Sequence, residues 1–312
     1  MGKLIVDGHC DLLLNYLRDE NYMFEENTKF HIDLPKLKKA NIALEVFAAC
    51  PAIKGDKAFK KTIKLIDKFY NLLENNNEVK LAKNYSDIKN IINENKIAAI
   101  LAVEGADGIF DLSALRIFYK LGVRLITLTW NYSNHIADGI DEIEAGGGVT
   151  TFGKKFIKEM NNLGMIIDTS HLSTKSFWDV IKYSDEPVVA SHSNAKGVYE
   201  HPRNLNDEQI KAIAEVNGII GINFCPEFIK NKQSVKIKDL VEHIIYIKEL
   251  VGIDYIALGT DYDGISKTPE NLENISKINF LVDKLKKVGF NKNEINKFTN
   301  KNWLRLYKEI LE

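Results

Sequence analysis

Short apolar runs recur along the chain and give the first expectation about its fold. Hydrophobicity within each run is continuous rather than alternating, as expected of parallel strands that are buried on both faces. Eight such runs predict eight strands, at residues 4–9, 43–49, 98–103, 124–130, 165–170, 187–191, 218–224 and 254–260.

Amphipathic segments lie between these runs and predict helices. Residues 58–75 place apolar side chains at spacings of three and four, which is typical of one buried helix face. The alternation of strands and helices, with right-handed crossovers, predicts an α/β fold: a single (β/α)8 TIM-like barrel domain over residues 1–312 with a C-terminal helix. The further predicted helices cover 151–163, a segment from Thr174 after a Ser173 cap, a segment to Val216 after an Asn206–Gln209 capping box, 236–250, 272–288 and, as one helix, 293–311.

Composition narrows the class of protein. The chain has 312 residues, of which 45% are hydrophobic, so it can form a large core. Its 42 basic and 43 acidic residues give a net charge of -1, which argues against a nucleic-acid-binding face. No apolar run approaches the ~18 residues of a membrane span, and no signal-peptide pattern is found. We therefore expect a cytoplasmic protein with no nucleic-acid or membrane partner, and a homodimer is its candidate oligomer.

The cysteines do not suggest a disulfide framework. Cys10, Cys50 and Cys225 form no CxxC pair and no even set. All three fall near predicted strand ends, and we interpret them as small buried hydrophobic side chains.

The most informative polar residues come at the ends of five predicted strands. In an α/β barrel the C-terminal strand ends share one face, which carries the active site. Ligand-type side chains that meet there predict a two-metal site. The six residues in question are His9, Asp11, Glu104, His171, His192 and Asp261.

The residue types at these strand ends favour zinc. His9 and Asp11 lie two apart on an extended strand, so both side chains share a face and can chelate one ion. Glu104 ends an otherwise apolar strand; it is either salt-bridged or a carboxylate that bridges two ions about 3.5–4 Å apart. His171 and His192 end successive strands about 4.8 Å apart, so their imidazoles can converge on one ion, although an isolated histidine of this kind is more often structural. Neutral imidazoles suit zinc better than magnesium or calcium.

Two further residues are candidates for substrate chemistry. Asp261 ends the last strand, and a carboxylate beside the metals but outside both ligand sets can transfer a proton between the attacking water and the leaving group. Arg203 lies in the long loop after His192, where it is either a surface ion-pair partner or a bidentate clamp for a substrate carboxylate.

These segments together resemble the renal (membrane) dipeptidase family of zinc peptidases. The resemblance keeps family order and extends nearly end to end. The matching segments are Asp7-Gly8-His9-x-Asp11, Glu104-Gly105, Leu128-Thr129, Asp168-Thr169-Ser170-His171, Ser191-His192-Ser193, Arg203-Asn204-Leu205, Gly259-Thr260-Asp261-Tyr262-Asp263-Gly264 and the tail Asn302-Trp303-Leu304-Arg305.

The resemblance implies a dipeptidase with two zinc ions, which Glu104 bridges. His9 and Asp11 would complete one site, and His171 and His192 the other. A bridging hydroxide would attack the carbonyl group of a dipeptide substrate. Asp261 would act as the acid/base and Arg203 would hold the C-terminal carboxylate. Family members cleave dipeptides and often accept a D-residue at the C-terminal side.

The chain departs from the animal members of this family at three points. A substrate-binding histidine that follows the Leu-Thr-Leu-Thr strand in those enzymes is Trp130 here, and His135 in the same loop is the candidate replacement. A tyrosine of the animal enzymes is Cys225 here. We also expect no counterpart of the signal and lipid-anchor segments of the animal enzymes. We therefore include Trp130 and His135 with Arg203 as candidate substrate-binding residues.

Two other functions are compatible with part of this pattern. A barrel metal hydrolase of other amides, lactones or phosphoesters would usually carry a lysine ligand near the middle strands, where this chain has Trp130. A catalytically weakened barrel that only binds a ligand is the non-enzymatic alternative, and Trp130 is the residue that favours it. All five ligand positions and Asp261 are intact, which favours the dipeptidase.

Overall fold

Eight parallel strands close into a barrel, and a ninth lies beside it. The computed structural model describes residues 4–19, 23–26, 29–231 and 234–312, without the side chain of residue 56. Within these residues the strands are β1 (Ile5–Cys10), β2 (Ile42–Ala49), β3 (Val79–Leu81), β4 (Ile97–Glu104), β5 (Val123–Thr127), β6 (Ile166–Asp168), β7 (Val188–Ala190), β8 (Ile219–Ile222) and β9 (Ile256–Leu258).

The barrel closes in the order β1, β2, β4, β5, β6, β7, β8, β9 and back to β1, and the paired strands are parallel. All eight predicted strands are therefore present, and the expected eight-stranded (β/α)8 barrel is confirmed. The ninth strand, β3, was not expected. It pairs only with the first residues of β4, before β5 begins to pair there.

Thirteen α-helices surround the barrel in the described part of the chain. The Ser173 cap and the Asn206–Gln209 capping box are both formed. The helices are α1 (Leu12–Arg18), α2 (Leu34–Ala40), α3 (Asp56–Glu74), α4 (Tyr85–Asn93), α5 (Leu112–Lys120), α6 (Thr151–Asn162), α7 (Thr174–Tyr183), α8 (Asp207–Glu215), α9 (Pro226–Ile229), α10 (Ile237–Val251), α11 (Ile278–Lys287), α12 (Lys292–Asn296) and α13 (Asn302–Ile310).

Two helix predictions need correction. The predicted helix 272–288 begins later, because a 3-10 turn (Ile275–Lys277) precedes α11. The tail is not one regular α-helix, since a π-helical turn (Lys297–Lys301) separates α12 from α13. The extra residue per turn shifts the phase of the apolar face, which lets both Phe298 and Trp303 become fully buried.

The C-terminal helix α13 packs against every second residue of several barrel strands. Val6, Leu44 and Ala98 belong to one buried cluster with Trp303 and Tyr307 of α13, whereas residues of the opposite parity pack against the surrounding helices. Trp303 Nε1 donates a hydrogen bond of 2.8 Å to the Leu258 carbonyl oxygen in β9. Helix α13 therefore holds in place the strands whose C-terminal ends form the face with the candidate site. No helix in the described ranges is both long and apolar enough to cross a lipid bilayer.

Candidate metal centre

The expected ligand residues meet at the C-terminal face of the barrel. His9 is the penultimate residue of β1 and Asp11 follows that strand, while Glu104 is the last residue of β4. His171 follows β6 and His192 follows β7, each by a few residues. All five residues are buried, between 0% and 7% exposed. Buried charged groups in proteins are paired with one another or coordinate metal ions.

The two carboxylate oxygens of Glu104 face different partners. Oε2 lies 3.6 Å from Nε2 of His9. Oε1 lies 2.8 Å from Nε2 of His171 and 3.4 Å from Nε2 of His192. On the first side, His9 Nε2 also lies 3.5 Å from Asp11 Oδ2. Glu104 therefore lies between two halves of the cluster, His9 with Asp11 and His171 with His192. The halves are in contact, since ligand atoms of His9, Glu104 and His192 lie within 4.8 Å of one another.

The donor atoms fit a metal ion better than they fit each other. Nε2 of His9 and Oδ1 of Asp11 are buried without a hydrogen-bond partner among the described residues. Nε2 of His171 and Nε2 of His192 lie only 2.9 Å apart. Ligand atoms bound tetrahedrally at about 2.0–2.2 Å from zinc lie roughly 3.3–3.6 Å from one another. The distances of 3.5 and 3.6 Å around His9 match this range, whereas those of 2.8 and 2.9 Å around His171 are shorter.

Electrostatics within the cluster keep two of the histidines neutral. Burial and the neighbouring Arg203 lower the pKa of His171 to about 4. Burial and the charge of His9 hold the pKa of His192 well below its usual range. Burial also disfavours a charged His9, but Glu104 and Asp11 outweigh it and raise that pKa. Neutral imidazoles with free lone pairs are the form that metal ions bind.

Asp261 lies beside the cluster. One of its carboxylate oxygens comes within 4.8 Å of ligand atoms of His9 and Asp11. Its Oδ2 accepts a hydrogen bond of 2.9 Å from Nδ2 of Asn223. Burial, reinforced by Asp11 and Glu104 and opposed by His9, raises its pKa to about 7. The backbone of Asp261 is in the left-handed region, with φ of 61°, which turns the chain sharply after β9.

A cavity of about 520 Å³ opens over the cluster and is the space for a substrate. Arg203 lines it and is 6% exposed. Its guanidinium donates to the backbone carbonyl groups of Ser170 and His192, which belong to the two histidine loops. Nε of Arg203 has no partner among the described residues. Arg203 is therefore a buried cation at the cavity wall, and it is not a surface ion-pair partner.

Trp130, which stands where the animal enzymes have a substrate-binding histidine, and its candidate replacement His135 lie in different places. Trp130 lines the cavity, and its ring stacks on His171 with a centroid distance of 6.2 Å. His135 is not among the cavity residues. Its Nε2 lies 2.8 Å from the Ile109 carbonyl oxygen, and its ring packs against Phe152. The structure thus does not bring His135 to the site, because local contacts hold it elsewhere.

Four residues around the cluster were not among the predicted site residues. Asn131 Oδ1 lies 2.7 Å from Nδ1 of His171, and Asn223 contacts Asp261. The Cys50 thiol comes within 4.8 Å of the Asp11 and Glu104 carboxylates. Asp168 lies behind His192, to which Ser191 links it. Asp168, Asn223 and Cys50 each stand at the end of an apolar strand and so left a signal in the sequence, whereas the contact of Asn131 depends on how its loop packs.

Comparison with known proteins agrees with this geometry. A model of the membrane dipeptidase family (peptidase family M19) matches residues 2–312. An uncharacterized dipeptidase of Schizosaccharomyces pombe is 33% identical over 329 residues, which cover 97% of this chain and 80% of that protein.

Solved structures share the fold. A metallopeptidase from Rhodobacter sphaeroides, liganded with a phosphinate mimic of the dipeptide L-Ala-D-Ala, has a TM-score of 0.92 at 24% identity and matches over 98% of this chain and 99% of its own. The dipeptidase AC, a metallopeptidase of family M19, has a TM-score of 0.94 at 24% identity over 100% of this chain and 99% of its own. The match over the whole chain, together with the clustered ligand-type residues, shows that this chain belongs to the membrane dipeptidase family and is a metallo-dipeptidase.

Proposed function

We propose that this metallo-dipeptidase works with two zinc ions that share Glu104. His9, Asp11 and Glu104 would hold one ion, and Glu104, His171 and His192 the other. The observation that carries the proposal is the division of Glu104, whose Oε2 faces His9 while its Oε1 faces the other two histidines. A carboxylate with one oxygen on each side can hold a pair of ions about 3.5–4 Å apart.

The donor set supports zinc as the metal. Three imidazoles and two carboxylates supply nitrogen and oxygen ligands, a mixture typical of zinc and poorly suited to magnesium or calcium. When bound, the ions would lower the pKa of a shared water toward neutrality and polarise the scissile carbonyl group.

The residues around the ligands would supply the other functions. Asn223 holds Asp261 beside the ligand atoms of His9 and Asp11, so Asp261 is the proposed carrier of a proton from the water to the departing nitrogen. Arg203 is the proposed partner of the C-terminal carboxylate, because it is a buried cation that lines the same cavity as Glu104 and Asp261. Trp130 would form the apolar wall beside His171.

We further propose that the substrates include dipeptides with a D-residue at the C-terminal side. The support is the R. sphaeroides metallopeptidase of the same fold, which carries a mimic of L-Ala-D-Ala.

The test combines metal analysis with kinetics. Protein loaded with zinc and freed of excess metal should contain two equivalents per chain, and it should hydrolyse both L-Ala-L-Ala and L-Ala-D-Ala. His171→Ala should lose most of one equivalent, because only two protein ligands of that ion remain. His135→Ala is the matched control and should keep both, since His135 lies outside the cavity. One equivalent or none in the loaded wild-type protein would contradict the dinuclear site.

A further inference from the structure

Asp168 is a buried carboxylate that receives hydrogen bonds from three strand ends. Its Oδ1 accepts from the backbone N–H and the hydroxyl of Ser170, at 3.1 and 2.6 Å, and from the backbone N–H of Ser191 at 2.8 Å. Its Oδ2 accepts from the hydroxyls of Thr127 and Ser191, both at 2.6 Å. All five groups can act as donors, so Asp168 needs no proton of its own and is an acceptor only.

Counting the hydroxyl hydrogens determines how Ser191 acts. Ser170 and Ser191 have one hydroxyl hydrogen each, and each hydroxyl oxygen lies 2.6 Å from a different oxygen of Asp168. A charged acceptor at this distance takes the hydrogen in preference to a neutral one. Ser191 Oγ therefore has only lone pairs to offer to the imidazoles beside it. Nδ1 of His192 is the near one at 2.7 Å, and Nδ1 of His9 lies farther away at 3.5 Å.

We propose that Asp168, acting through Ser191, is a positioning residue that fixes His192 in the form that binds metal. Because Ser191 accepts, Nδ1 of His192 carries the proton, and the lone pair of Nε2 is left free. That Nε2 lies 3.4 Å from Glu104 Oε1, on the side of the second proposed ion. The inference rests on the proposed function only in taking a zinc ion as the partner of Nε2.

His171 is held in a parallel way but without a charge behind it. Its Nδ1 lies 2.7 Å from the side-chain oxygen of Asn131. Among the described residues, Asp168 is thus the one carboxylate that supports either His171 or His192 through a hydrogen-bonded side chain. Partners of this kind typically change metal affinity by about 10–100-fold when they are lost.

Ser191→Ala and Ser193→Ala form a matched pair of variants. Both serines are buried and flank His192, but Ser193 Oγ has no hydrogen-bond partner among the described residues. Ser191→Ala removes the acceptor for Nδ1 and should weaken one of the two zinc equivalents about 10–100-fold in competition with a chelator. Ser193→Ala should leave both affinities unchanged. Asp168→Asn should act in the same direction, because an amide has one acceptor atom in place of two.

Nitrogen NMR of the metal-free protein provides a readout that a general loss of packing would not move. With isotopically labelled histidine, and His192 assigned by a His192→Gln variant, wild type should show a protonated Nδ1 and an unprotonated Nε2. Ser191→Ala should shift this population toward protonated Nε2, and Ser193→Ala should not. A wild-type His192 protonated at Nε2, or a Ser191→Ala variant with unchanged tautomer and zinc affinity, would overturn the proposal. The tautomer measurement needs no metal, so it decides this inference even if the metal count contradicts the dinuclear function.

Discussion

Arg203 combines two tasks that are usually separate in a protein. Its guanidinium anchors two loops through the Ser170 and His192 carbonyl groups, and it lines the cavity with an unpartnered Nε. Removing it therefore tests substrate binding only if the loss of anchoring is measured separately. Arg124 provides that comparison, since it is equally buried and also donates only to backbone carbonyl groups, but it lies outside the cavity.

The first prediction concerns the free carboxylate of the substrate. A charge-assisted arginine–carboxylate contact contributes on the order of 1.5–3 kcal/mol, which is about one to two decades in kcat/KM. Amidating the C-terminus of a good dipeptide should reduce kcat/KM by that amount in wild type. Arg203→Met should abolish the difference between acid and amide, and metal content measured in parallel records any loss of loop anchoring. Arg124→Met should retain the difference. Equal wild-type cleavage of acid and amide would favour a general amide hydrolase instead.

The second prediction separates proton transfer from metal binding at Asp261. Asp261→Asn keeps the size of the side chain and can still face Asn223, but it cannot accept a proton. We expect both zinc equivalents to remain and turnover to fall by roughly 10²–10⁴. Metal analysis together with steady-state kinetics distinguishes a loss of metal from a loss of turnover. A variant that loses metal would make Asp261 a ligand, and one with wild-type turnover would exclude both roles.

At the scale of elements, one glycine sets how closely β1 approaches α13. A Cβ atom at Gly8 would lie 2.2 Å from Cζ2 of Trp303 and 2.9 Å from the Leu258 carbonyl oxygen. Neither neighbour can retreat easily, because Trp303 is fully buried and bonded to that same carbonyl. His9 follows directly, so the position of the first ligand depends on this contact.

The third prediction follows from that contact. Gly8→Ala should destabilise the protein by about 1–3 kcal/mol through overpacking and should weaken metal binding by moving His9. Chemical denaturation and zinc competition measure the two effects. Gly147→Ala is the control: this exposed position meets only the end of the Asp138 side chain, at 3.1 Å, and should change neither quantity. Wild-type stability in Gly8→Ala would show that α13 can move away.

The local sequence pattern was enough to predict elements that consist mostly of apolar, buried residues or carry a clear capping motif. The eight barrel strands are continuous apolar runs, and the Asn206–Gln209 box caps α8 as predicted. By contrast, β3 has one fully buried residue, Val79, in three, and exists because β4 offers a free edge there. The π-helical turn before α13 serves packing against the barrel. Such features depend on tertiary contacts that no short segment encodes.

The candidate site also contains residues whose positions could be predicted from the sequence and residues whose positions could not. Its metal-ligand candidates could be predicted because strand ends in a barrel converge whatever the loops do. The position of His135 could not, since a loop of irregular shape decides whether a side chain five residues beyond Trp130 reaches the cavity. The role of Ser191 depended on a hydrogen count that only distances can supply.

On the scale of the whole molecule, the proposed ions would connect four parts of the barrel. Their ligands come from the ends of β1, β4, β6 and β7. An ion that binds the native state alone stabilises it by RT ln(1 + [L]/Kd), about 4 kcal/mol at 1,000 times Kd. The fourth prediction is that chelation lowers the melting temperature by several degrees and that zinc restores it. Scanning calorimetry checks this, and His171→Ala should show a smaller change than wild type. Identical melting with and without chelator would contradict a metal that links strands.

The pairing of β1 with β9 has a consequence for the synthesis of the protein. Asp7 in β1 accepts hydrogen bonds from Thr260, 253 residues further along the chain. At about 5–20 residues per second, a ribosome needs roughly 12–50 s to add that many residues. During this time β1 has no partner on one edge, and the barrel cannot close around His9. Co-translational folding can therefore build the arc from β1 to β8 first, while the candidate metal centre is enclosed only after β9 and α13 have been translated.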